Sequence, residues 1–184
     1  MRKIFLISSI LLYISAAAQY SFHSINQLGI VEGEKGTSFQ LQTINGFTRN
    51  YWFAGVGAGL DYYHQRTVPV FIDIRRKILK NEKSPFVYAD AGFSFPWEKQ
   101  DGESVWYKEE YKKGSYFDLG LGYQLPVHKL GSFVFSLGYS EKRLREERYN
   151  DFYLIYSGVY DGGNNKNIMD YRFRRISIKA GWQF

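Results

Sequence analysis

The stretch "YWFAGVGAGLDYY", Tyr51 to Tyr63, carries Trp52, Ala54, Val56, Ala58, Leu60 and Tyr62 on alternate positions, with Gly55, Gly57, Gly59 and Asp61 between them. A period of two is the signature of a strand, because successive side chains leave a pleated strand on opposite faces. A soluble β-sandwich also alternates, but it turns its polar face to water and places long charged side chains there. Here the polar face is mostly glycine, which suits a crowded, narrow interior. Apolar residues outside and small or polar residues inside are the pattern of a membrane-spanning β-barrel.

The same alternation recurs along the chain in seven further segments. They are about Tyr20–Glu32, Thr37–Gly46, "VPVFIDIRR" (Val68–Arg76), Val87–Phe95, Phe117–Leu125, Phe133–Ser140 and about Tyr171–Phe184. Segments of about ten residues match the span of a tilted transmembrane strand. The expected fold is all-β: an eight-stranded antiparallel transmembrane up-and-down barrel. Composition agrees. The chain has 16 Tyr, 15 Phe and 18 Gly but only 4 Pro and no Cys, which favours strands joined by turns. Its negative mean hydropathy argues against membrane helices but not against a barrel, where only alternate residues meet lipid.

The N-terminus reads as an export signal. Arg2 and Lys3 precede the apolar run Ile4–Ile14, and Ala16-Ala17-Ala18 follows as a small-residue cleavage site. Residues 1–18 are therefore expected to be a secretory signal peptide, and residues 19–184 the barrel. The missing cysteine excludes a lipoprotein anchor and a disulfide framework. Removing Arg2 and Lys3 lowers the formal charge from +6 to +4, a mild surplus that implies no nucleic-acid partner on an exported chain.

With both termini on the periplasmic side, connections alternate between the two faces. The expected periplasmic turns "FTRN", "KNEKS" and roughly "VHKLG" are all short, whereas the two long connections, about Trp97–Gly114 and about Arg143–Asp170, fall outside. Aromatic residues at the segment ends, among them Tyr51, Trp52, Tyr62, Tyr63, Phe95, Trp97, Phe133 and Trp182, suit interfacial girdles. The chain then stops on "GWQF". A signal peptide, eight alternating segments and a terminal aromatic residue together resemble the small outer-membrane β-barrel proteins of Gram-negative bacteria, of the OmpX-like and OmpA-barrel-like type. The resemblance implies an outer-membrane location. It also implies that Trp182 and Phe184 form a signal for the barrel-assembly machinery.

Parity places Asp61, Asp73, Arg75, Asp90, Asp118, Arg175 and Lys179 inside the expected barrel. Isolated charges there are strongly disfavoured, so they are expected to pair as a plug that rigidifies the barrel, rather than to form an ion path. Just beyond the apolar band, "EKRLREER" (Glu141–Arg148) and "YRFRR" (Tyr171–Arg175) put Arg143, Arg145, Arg172 and Arg174 on the lipid side of adjacent strands. Arginine forks bind phosphate well, so contact with outer-leaflet lipopolysaccharide is one expectation. A solvated stripe paired with Glu146 and Glu147 is the other.

Nothing in the sequence singles out a catalytic centre, a cofactor or a metal. The segment "DGGNN" lacks the spacing and the bidentate glutamate of a calcium loop. Of the histidines, His23 lies in the weakest segment and His128 in a periplasmic turn. Only His64 lies where outer-leaflet lipid would react, and no G-x-S-x-G motif accompanies it. A non-enzymatic structural or surface-interaction role through the outer loops is expected. The alternatives are a lipid A acyl hydrolase or acyltransferase, and a narrow channel for small apolar molecules.

Overall fold

A computed structural model of the chain describes residues 20–81, 83–97, 107–127, 130–150 and 166–184. The expected signal peptide, His128 and most of the seventh connection lie outside the described residues.

The described residues form nine strands: β1 (Ser21–Gly33), β2 (Gly36–Arg49), β3 (Trp52–Asp61), β4 (Thr67–Lys77), β5 (Ser84–Pro96), β6 (Tyr107–Lys112), β7 (Gly114–Val127), β8 (Gly131–Asn150) and β9 (Lys166–Gln183). Each pairs antiparallel with its neighbours, and β9 pairs with both β8 and β1. The ring β1-β2-β3-β4-β5-β7-β8-β9 therefore closes as an eight-stranded barrel with no free edge inside the belt. The remaining strand, β6, is the outward continuation of β7. Lys112 pairs with Arg145 and Tyr116 with Lys142, so the three residues 113–115 oppose the two residues 143 and 144 and a bulge separates the two strands. Gly114 sits in that bulge, where a Cβ would lie 1.8 Å from the Arg143 carbonyl oxygen.

The alternation sorts as the sequence implies. Val56, Ile72, Leu121, Leu137 and Ile178 are exposed on the outer wall, while Gln42, Asp73, Asp118, Ser136 and Lys179 are buried inside. At the termini end the turns are tight. Arg49 pairs with Trp52 across a two-residue turn, with Asn50 at φ 55°, a left-handed conformation that asparagine tolerates.

Three expectations need correction. The last two segments, bounded at Ser140 and about Tyr171, reach further along the outward continuation of Glu141–Arg148: β8 runs to Asn150 and β9 starts at Lys166, so a sheet of β6, β8 and β9 projects beyond the belt. Backbone pairing satisfies these groups whatever the side chains face, so strands do not stop at the end of the apolar band. Tyr63 is not in a girdle but buried, together with Val31, Leu144 and Phe173. The lumen is also not uniformly polar, since Ile25, Ile44, Phe53, Phe71 and Tyr116 fill part of it.

Candidate functional site

Two clusters of charge stand out, one inside the barrel and one on the projecting sheet. Register brings Asp73, Asp90 and Asp118 side by side across β4, β5 and β7. The Arg75 guanidinium donates to Asp73 through Nε and Nη2 at 2.8–3.0 Å. From the far wall, Lys179 donates to Asp118 at 3.0 Å and lies 3.6 Å from Asp90. The Tyr88 hydroxyl donates to Asp118 at 2.8 Å, beneath the Lys179 ammonium, which is 4.5 Å from its ring centroid. Gly138 makes room for this contact, because a Cβ there would meet the Tyr88 hydroxyl at 2.2 Å.

Asp61 belongs to a separate group at the loop end. It accepts from Arg175 at 2.6 Å and lies 3.3 Å from the Lys142 ammonium. Arg175 also donates to Ser140 at 2.8 Å. Lys142 donates to the carbonyls of Tyr63 (2.8 Å) and Gln65 (2.9 Å) and to the Thr67 hydroxyl (3.1 Å). The turn between β3 and β4 is thereby drawn into the barrel mouth, with the Tyr63 hydroxyl accepting from the Lys35 backbone N–H at 2.7 Å. Lys142 escaped the sequence reading because it sits within a run of charges. Its signal was parity: if Arg143 and Arg145 point out, Lys142 points in. At the opposite mouth a cavity of about 30 Å³ lies beside Arg75, Phe53 and Gln124.

The four arginines expected on the outer face are exposed. Among the described residues, Glu146 is buried and takes Arg148 as its partner rather than any of these four. Instead Glu141 accepts from Arg143 (3.0 Å) and Arg172 (2.6 Å), and Asp170 pairs with Arg145 (2.8 Å). Cross-strand register sets the Arg145–Asp170 pair and brings Arg172 diagonally to Glu141, while Arg143 meets Glu141 two residues away on the same strand. An open groove of about 750 Å³ runs here, lined among the described residues by the cations Lys112, Lys113, Arg143, Arg145 and Arg172 and by the anions Glu147 and Asp170. Sequence reasoning missed the two lysines, which reach the groove only because β6 pairs with β8.

His64 occupies the β3–β4 turn at φ 60°. Its imidazole packs against Phe173 and Tyr171, with centroids 4.9 and 5.8 Å away. Burial, then the charges of Lys35 and Lys142, hold it below the ordinary histidine pKa, and Glu146 opposes them. At the chain end, the backbones of Phe184 and Ser24 exchange two hydrogen bonds of 2.8 and 3.0 Å. Trp182 donates to the Leu130 carbonyl at 3.1 Å and meets Phe133 edge-on.

Neither a protein-family model nor a curated protein sequence matches this chain. Among solved structures, the crystal structure of the outer membrane protein OprG from Pseudomonas aeruginosa is similar to it, with a TM-score of 0.61. The two share 10% sequence identity over 89% of this chain and 95% of that one. The fold is that of a small outer-membrane β-barrel. Its largely apolar outer belt and its lack of a free edge within that belt are what a bilayer requires of a spanning sheet.

Proposed function

We propose that this outer-membrane barrel is non-enzymatic and acts through its loop end, where the basic groove holds phosphate groups of outer-leaflet lipopolysaccharide. The observation that carries this reading is the gathering of five cations around one open groove directly beyond the apolar belt. Arginine forks in that position meet lipid phosphates at headgroup level. The barrel beneath serves as a rigid anchor. Its lumen holds interlocked ion pairs and aromatic rings, which favours a plug over a conducting path.

An acyl hydrolase or acyltransferase would need His64 within hydrogen-bond reach of a nucleophile or an orienting carboxylate. Its ring instead rests on Phe173 and Tyr171, which supports a packing role. The test is lipopolysaccharide retained on the purified barrel. The quadruple variant Arg143→Ala, Arg145→Ala, Arg172→Ala, Arg174→Ala is expected to lose most of it, and equal retention would sink the reading. For the chain end, Trp182 and Phe184 as a signal to the barrel-assembly machinery predict that deleting Phe184 lowers the yield of heat-modifiable barrel in the outer membrane. An unchanged yield would refute that role.

A further inference from the structure

The outward faces of β1 and β2 include the cross-strand pairs Phe22 with Phe47, Ser24 with Asn45, Asn26 with Thr43, Leu28 with Leu41, and Ile30 with Phe39. Two polar pairs therefore lie between apolar pairs on either side, on the lipid-facing wall. Asn26, Thr43 and Asn45 are exposed, and their side chains bond to no other side chain among the described residues. The corresponding outward positions elsewhere are apolar: Val70, Ile72 and Ile74 on β4, Ala89, Ala91 and Phe93 on β5, Leu119 and Leu121 on β7.

Acyl chains offer these amides and hydroxyls nothing to bond, and an unsatisfied polar group in hydrocarbon is costly. A partner that covers the patch must bring hydrogen-bonding groups of its own. The neighbouring strands carry small side chains, Ala58 beside Thr43 and Ala180 beside Leu28. With them Asn26 and Thr43 line a groove of about 720 Å³, walled by Phe133 and Trp182, and Asn45 lies on the same face of β2 two residues from Thr43. Small residues at an intramembrane contact let two backbones approach closely.

We propose that this β1–β2 face is the interface of a twofold homodimer within the membrane, closed by hydrogen bonds among Asn26, Thr43 and Asn45 of the two copies. Amide and hydroxyl groups both donate and accept, so the patch is complementary to itself across a twofold axis. It carries no net charge with which to select a charged partner. A twofold contact also buries both copies of the patch at once and leaves none facing lipid.

Disulfide trapping of the full-length chain in native outer membranes tests this, because the chain has no cysteine. Asn45→Cys is expected to give a covalent dimer. Leu121→Cys, on the far wall and 64% exposed, is expected to remain monomeric. In lipid nanodiscs the wild type is expected to show the dimer mass, and Asn26→Leu, Thr43→Leu, Asn45→Leu the monomer mass with the heat-modifiable barrel retained. Trapping at Asn45 no stronger than at Leu121, a monomeric wild type, a dimeric triple variant, or a cross-link to a different protein would each overturn the proposal.

Discussion

The lumen and the projecting sheet use the same ions for opposite ends. The Asp61–Arg175 pair inside has side chains 0% exposed on both partners, whereas Arg145 and Asp170 outside are 52% and 66% exposed. Inside, each charge has left water and is held by fixed partners, so removing one strands another. Outside, the pairs are screened and interchangeable, and their net worth is small. Location rather than residue type thus separates an architectural charge from one available to a ligand.

The sharpest break of this comparison is Asp61→Ala, which leaves Arg175 and Lys142 without their carboxylate. Such a loss costs about 3–5 kcal/mol for a buried pair. It is expected to lower the heat-modification temperature markedly and to free the β3–β4 turn. An unchanged transition would show that the lumen is wet enough to behave like the surface.

A smaller effect sharpens the same point. Asp73→Leu alone orphans Arg75, but Asp73→Leu with Arg75→Leu removes both charges and leaves an apolar pair near Phe86 and Tyr88. The double variant is expected to be more stable than the single one, because replacing a whole buried pair is often near neutral. Urea unfolding in lipid vesicles measures both. A double variant as unstable as the single one would mean that the pair contributes more than mutual neutralisation.

The pattern of two made the barrel legible, because lipid outside and a crowded lumen inside impose opposite chemistry on alternate residues. It sorted Asp73, Asp90, Asp118 and Lys179 to one side without any coordinates. Partners were not legible, since pairing follows register. Asp61 shares the inward parity of Asp73, yet it serves a different cluster near the mouth. Tyr63 looked like a girdle residue because it ends a strand. Its backbone N–H donates to the Asp61 carboxylate at 2.9 Å, and that turn tucks the ring inward. Asn26, Thr43 and Asn45 were written in the alternation as exceptions, and only the register shows that they meet.

On the outer sheet the comparison predicts near silence. Arg145→Ala removes an exposed pair with Asp170 and is expected to change stability by less than about 0.5 kcal/mol. If the groove holds phosphate, the same variant still lowers lipopolysaccharide retention. Stability and ligand retention then separate at this residue, as they cannot at Asp61. A large loss of stability would place Arg145 among the architectural charges.

His64 lies between the two regions, in the turn that closes the mouth, and its effect should be the smallest. Its pKa is lowered in the folded chain, so the unfolded turn takes up a proton more readily than the folded one. The order of the turn is therefore complete above the ordinary histidine pKa of about 6.5 and declines as pH falls below it, levelling off once the folded imidazole is also protonated. Amide exchange across residues 62–66 is expected to quicken from pH 7 to pH 5 after correction for intrinsic rates. In His64→Gln that dependence should vanish. If it persists there, the titrating group lies elsewhere.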